Sequence, residues 1–204
     1  MIKRILCLAA AVLLAAGGAA AEGWFPTWEN TATPAPSAAP SGGFTFRGGV
    51  TWDMAPEAVR EKETGQQMEE RSQDKWSVLY SVGRVEVSRY FADLVYIFYD
   101  RQLQMILYAF DKGETTNSFL YLTGALSAVY GDTKAAEAAE VVSLMERVYP
   151  GMYTTETISD VHAWQTADGT RVFLYHQAGG SFSILYGAPG TALPAGGEFN
   201  TSGL

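Results

Sequence analysis

Between Trp76 and Phe110 apolar and polar positions alternate with a period of two, and the composition turns to Val, Tyr, Phe and Ile. That pattern predicts strands, because successive side chains on an extended chain point to opposite faces. Four are predicted, over 76–81, 84–91, 94–99 and 102–110, with turns at Val82-Gly83, Ala92-Asp93 and Asp100-Arg101. Connections this short hold no helix, so these strands are antiparallel neighbours. Leu94 to Tyr99 is apolar on both sides and belongs in the middle of a sheet. Three more strands are predicted over 158–166, 170–177 and 181–187, joined by the hairpin signals Asp168-Gly169 and Gly179-Gly180.

The helical period appears in three places. Residues 55–64 form a short helix with Pro56 in its first turn and a narrow apolar side of Ala55, Ala58 and Val59. Thr116 or Asn117 caps a second helix with Phe119, Leu122, Leu126, Val129 and Tyr130 on one face, ended by Gly131. A third runs from Ala135 to Tyr149, with Val141, Val142, Leu144, Met145 and Val148 inward and Pro150-Gly151 as its stop. Gln66 to Lys75 is polar and reads as a loop or a frayed helical turn. The expected fold is α+β: antiparallel meander sheets with helices packed on one face. The order of elements suggests two related helix-plus-meander halves.

Phe44 to Glu63 opens this domain, which is expected to span residues 44–187. Residues 1–21 have the three parts of a secretory signal: Lys3-Arg4, an apolar run from Ile5 to Ala16, and small residues ending at Ala21. Cleavage before Glu22 would release a secreted or cell-envelope protein. Cys7 comes before most of the apolar run, which speaks against lipidation. Residues 22–43 join an aromatic segment (Trp24, Phe25, Trp28) to a Pro/Ala/Ser linker, and 188–204 read as a flexible tail. Whether the aromatic segment docks on the domain is open at this level.

Charge narrows the partners. The formal net charge is −8, and removal of Lys3 and Arg4 leaves 12 basic against 22 acidic residues. An acidic surface repels nucleic acid and anionic lipid, and no membrane span is expected after signal removal. Without Cys7 the chain has no thiol, which excludes cysteine nucleophiles and Cys-based zinc sites. No phosphate loop, nucleophile elbow, EF-hand loop or HExxH occurs, so no cofactor, metal or catalytic residue is assigned. His162 and His176 lie on different strands without acidic companions at ligand spacing. Glu69-Glu70 and Glu137/Glu140 are carboxylate clusters of the kind a glycosidase uses, and of the kind any acidic surface supplies. Three short helices cannot cover both sides of seven strands, so some aromatic surface should be exposed. Trp52, Trp76 and Trp164 are the candidate ligand contacts, although each also suits core packing.

Val50-Thr51-Trp52-Asp53-Met54-Ala55-Pro56-Glu57-Ala58-Val59 resembles the "TWGMSPEEV" opening of exported, uncharacterised proteins of Gram-positive bacteria. Tyr99 to Leu103, Tyr130-Gly131, Trp164 and Ile184-Leu185-Tyr186 match later features of that pattern. Asp53 replaces its Gly and Ala55 its Ser; Asp53 could then satisfy the helix end in place of the missing cap. The order of elements is similar to the beta-lactamase inhibitor protein fold and to the small lipoprotein domain of the outer-membrane assembly machinery. The resemblance implies a binding or scaffold fold and names no ligand. The expected function is an exported, non-catalytic module that binds a protein or glycan of the cell envelope. The alternative is a carboxylate-dependent extracellular hydrolase.

Overall fold

The computed structural model describes residues 44–111 and 116–190. The predicted signal peptide, the 22–43 segment and most of the predicted tail therefore lie outside the described residues. The element order is α1 (Pro56–Lys62), β1 (Met68–Gln73), β2 (Trp76–Ser81), β3 (Val85–Val87), β4 (Tyr90–Tyr99), β5 (Gln102–Phe110), α2 (Thr116–Tyr130), β6 (Lys134–Ala135), α3 (Ala138–Met145), β7 (Ile158–Gln165), β8 (Arg171–Gln177) and β9 (Phe182–Gly187). All nine strands belong to one antiparallel sheet in the order β1-β2-β4-β5-β9-β8-β7-β6, with β3 paired to β4. The last strands of the two meanders, β5 and β9, pair at its centre from Met105↔Gly187 to Phe110↔Phe182.

Both faces of this sheet are covered, because its strands are apolar on both sides. One face carries Leu94, Tyr96, Ile106, Tyr108, Val172, Leu174, Ile184 and Tyr186, packed under the 44–54 segment, Val59 of α1, and Phe119, Leu122 and Leu126 of α2. The other carries Val78, Ile97, Met105, Leu107, Phe173, Tyr175 and Leu185, packed under Val141, Leu144 and Met145 of α3 and Val148. The expected placement of the helices on one face is therefore corrected: α3 lies opposite α1 and α2. Consecutive residues of β8 decide this, since Val172 and Leu174 serve one core and Phe173 and Tyr175 the other.

Other departures have local causes. Residues 68–73 form a strand rather than a loop or helical turn. β1 is an edge strand paired only to β2, so most of MEERSQ stays in water and shows no apolar period. Charged side chains on such an edge also discourage pairing with other chains. The turn expected at Ala92-Asp93 lies inside β4, and the chain reverses at Ser88-Arg89 instead, with Ser88 at φ 60°. The third helix is shorter than predicted, because Lys134-Ala135 pairs with β7 before α3 begins. Val129, expected inward, is 43% exposed. The reversal at Asp100-Arg101 is where the pattern placed it, and both residues take left-handed φ values of 50° and 67°, as a two-residue hairpin requires. A bulge at Asp160 (φ 48°) breaks alternation in β7, turning Ile158 and Val161 to the α3 face and Trp164 to the α2 face.

The N-terminal segment is tied to the α2 face by a buried polar network. Glu63, 4% exposed at the end of α1, accepts the Tyr96 hydroxyl and pairs with Arg47 at 3.2 Å. Burial, then the neighbouring Tyr108 and Glu63, push the Tyr96 hydroxyl far above the ordinary tyrosine range, so it stays protonated and donates. Ala55 makes no side-chain cap on α1. Asp53 instead holds φ 69°, a conformation that glycine adopts freely and aspartate tolerates.

Candidate functional site

The three candidate tryptophans do not form a surface. Trp76 is 3% exposed on the α3 face, with its ring 5.0 Å from that of Tyr99. Trp164 is 4% exposed on the α2 face, and its indole donates to the Gly131 carbonyl at 3.1 Å, holding the end of α2 against β7. Trp52 is half-buried against Phe46, with ring centres 4.8 Å apart, and donates to the Thr170 hydroxyl at 2.9 Å. Each indole is spent on packing and, for Trp52 and Trp164, on one hydrogen bond.

The Trp52 bond leads to a hub that only the fold assembles. Asp168 accepts the Thr170 hydroxyl at 3.1 Å, the Thr170 N–H at 3.2 Å, the Thr166 hydroxyl, and the N–H of Phe44 at 3.1 Å. Partial burial alone would raise its carboxyl, but these hydrogen bonds outweigh burial and hold it below the usual range. The β7–β8 turn thus fastens the first described residue of the chain. A signal was present in the sequence: Thr166-Ala-Asp168-Gly-Thr170 puts a hydroxyl two residues on each side of a turn aspartate, where its carboxylate can collect local donors.

The carboxylate clusters and the histidines are likewise committed. Glu69 and Glu70 are neighbours on β1, so they point to opposite faces; Glu69 accepts the Tyr80 hydroxyl at 2.6 Å and Glu70 pairs with Arg60 at 3.1 Å. Glu137 and Glu140 form a reciprocal capping box at the start of α3, each side chain accepting the other's backbone N–H. His176 stacks on Phe119 of α2 with ring centres 4.0 Å apart, and His162 lies 5.7 Å from the same ring. Among the described residues no group of three or more His, Cys, Asp or Glu is arranged to hold a metal ion. Among them, too, no helix is long and apolar enough to cross a membrane.

Among the described residues a concavity lies at the β6–β7 edge. It is a cleft of about 500 Å³ between the end of α2, the start of α3 and the β7–β8 hairpin. Its small apolar lining comes from Ala135, Ala136 and Ala163, and its charges are Asp132, Glu140, Lys134 and Arg171. Gln165 and Thr166 add polar groups, and half-buried Tyr130 and buried Trp164 and Phe173 complete the lining. Burial pushes the Tyr130 hydroxyl up to about 12, so it remains a neutral donor near neutral pH. Of the three candidate tryptophans only Trp164 reaches this cleft, joined by Glu140 of the carboxylate clusters; Lys134, Arg171 and Asp132 were not among the candidates. Isolated charges on separate elements carry no spacing signal, and pairing of β6 with β7 is what places them around one cleft. The chain matches no protein family model, no curated protein and no solved structure.

Proposed function

We propose that this protein is an exported, non-catalytic binding module, and that the cleft at the β6–β7 edge takes a charged peptide segment of a partner protein in the cell envelope. The observation that carries the reading is the state of the cleft's carboxylates. Hydrolysis of a glycosidic bond needs two carboxyl groups facing one bond, one of them able to exchange a proton. Glu140 spends its side chain on the cap of α3, leaving Asp132 as the other carboxylate of the lining among the described residues. Two cations beside two anions around an apolar floor suit a ligand with both signs of charge, held in orientation more than transformed. A peptide is favoured over a glycan because the ring faces of Trp164 and Phe173 are covered and offer no platform for a sugar.

Two features support the broader reading. The central pairing of two meanders, each following helical elements, accords with the two related halves that the order of elements suggests, and the resemblance implies a binding or scaffold fold. The leader-like residues 1–21 support export, and intact mass of material recovered outside the cell should begin at Glu22. Retained Met1 or a lipid on Cys7 would refute cleavage before Glu22.

The binding reading is tested by titrating the protein against surface proteins and, separately, cell-wall polymers of its own cells. Saturable binding should be lost with Arg171→Glu and kept with Arg84→Gln, which lies outside the cleft. Polymer turnover abolished by Asp132→Asn would overturn the proposal and restore the hydrolase.

A further inference from the structure

Helix α2 is apolar on more sides than its sheet can bury. Its fifteen residues, TNSFLYLTGALSAVY, include no charged side chain. Phe119, Leu122 and Leu126 face the core, yet Leu120 is 62% exposed on the other side. Leu120, Tyr121, Gly124, Ala125 and Ala128 line a shallow apolar groove of about 480 Å³ along that outer side. Its floor is open at Gly124, where a Cβ would meet nothing within 4 Å. A contiguous apolar strip left exposed on the outer side of a helix ordinarily marks a contact surface.

We propose that the occupant is this chain's own segment 22–30, Glu-Gly-Trp-Phe-Pro-Thr-Trp-Glu-Asn, folded back so that its aromatic rings sit in the α2 groove. The first ground is where the described chain begins. The Phe44 ring lies 6.0 Å from that of Tyr130, the last residue of α2, and the Phe44 N–H is fastened to Asp168. The chain therefore enters beside the helix whose outer face is uncovered.

Length supplies the second ground. Thirteen residues, 31–43, separate segment 22–30 from Phe44, and a chain of that length has a reach of up to roughly 43 Å, against roughly 22 Å for the whole of α2. Short tethers also hold a ligand at millimolar effective concentration, so weak ring contacts suffice.

Charge is the third ground. Segment 22–30 carries Glu22 and Glu29 and no cation. The groove is uncharged, but the Arg89 guanidinium stands 4.1 Å over the Tyr121 ring at its rim. An acidic aromatic segment satisfies both features. A second copy docked through α2 would bring another uncharged helix and no anion to Arg89.

The test uses the full chain with Cys7→Ser and Gly124→Cys, which places the single thiol on the groove floor. Replacing Trp24, Phe25 and Trp28 together by Ala should speed alkylation of that thiol about tenfold, the gain expected when a tethered ligand leaves. Equal rates would overturn the proposal. Protection that fades on dilution would also overturn it, assigning the groove to a second copy. Should Gly124→Cys fail to fold, radical footprinting of Leu120 and Tyr121, both in the groove lining, in the chain with and without the three Ala substitutions replaces it. Labelling of both should rise in the substituted chain, and unchanged labelling would refute the docking.

Discussion

The two faces of the sheet bury similar apolar residues but are closed in different ways. On one, α3 is strongly one-sided: Val141, Leu144 and Met145 face the sheet, Glu140 and Ser143 face water, and a capping box fixes its start. That helix covers its share of the sheet and leaves nothing over. On the other, α2 covers the sheet with Phe119, Leu122 and Leu126 and still exposes Leu120 and Val129. The same face also buries charge, with Glu63, Arg47 and the Tyr96 hydroxyl locked together beneath the N-terminal segment. The difference teaches where to look for contact. Apolar surface beyond what the fold consumes points to something else that covers it, and only the α2 face has a helix with that surplus.

The strongest way to break the comparison is to truncate one inward leucine on each face. Leu122→Ala and Leu144→Ala should each cost about 3 kcal/mol, read from urea unfolding midpoints, because both are buried in close packing. Leu120→Ala should change the midpoint by less than about 0.5 kcal/mol. A large loss at Leu120 would mean that its exposed side chain is already part of the cooperative core.

Glu63→Ala should cost about 2–3 kcal/mol, since it removes the acceptor of a buried hydroxyl and the partner of a half-buried guanidinium. An equal midpoint would show that this face, like the α3 face, rests on apolar packing alone. A smaller effect sharpens the account of α3. Glu140→Ala should cost about 1 kcal/mol by removing half of the capping box. Glu140→Gln should retain most of that, because the amide oxygen still accepts the Glu137 N–H.

The smallest effect concerns Asp168 and depends on pH. Its folded-state pKa is depressed, so its contribution is fully present above the unfolded value of about 3.9 and is lost as pH falls toward the folded value. Urea midpoints measured from neutral pH to below 3 should fall more steeply on the acid side in the native chain than in Asp168→Asn. Parallel curves would show that the hub is geometric and carries no linked proton.

Much of the fold was legible in residue patterns. The strands at 76–81 and 102–110, the Asp100-Arg101 reversal and the Phe119, Leu122 and Leu126 face of α2 follow from alternation, turn propensity and helical period, all of which act over a few residues. β1 was not legible, because an edge strand need bury neither face and MEERSQ has no period to read. The candidate site was legible only in part. Large aromatic residues announce burial without saying whether a ligand or the protein's own core will bury them, and for Trp76 and Trp164 the core does.

What the sequence determined by itself is therefore local: where much of the chain extends, coils and turns, and that the stretch from Leu94 to Tyr99 has two apolar faces. Tertiary structure decided which face each helix covers, which carboxylates are already engaged, and which distant residues share a cleft. Asp168 meets Phe44 across 124 positions, and Lys134 joins Arg171 at one cleft through strand pairing. The physical reason is range. Backbone propensity and side-chain period reach a turn or two along the chain, whereas a site is made by contacts whose partners are fixed only when the whole sheet has formed.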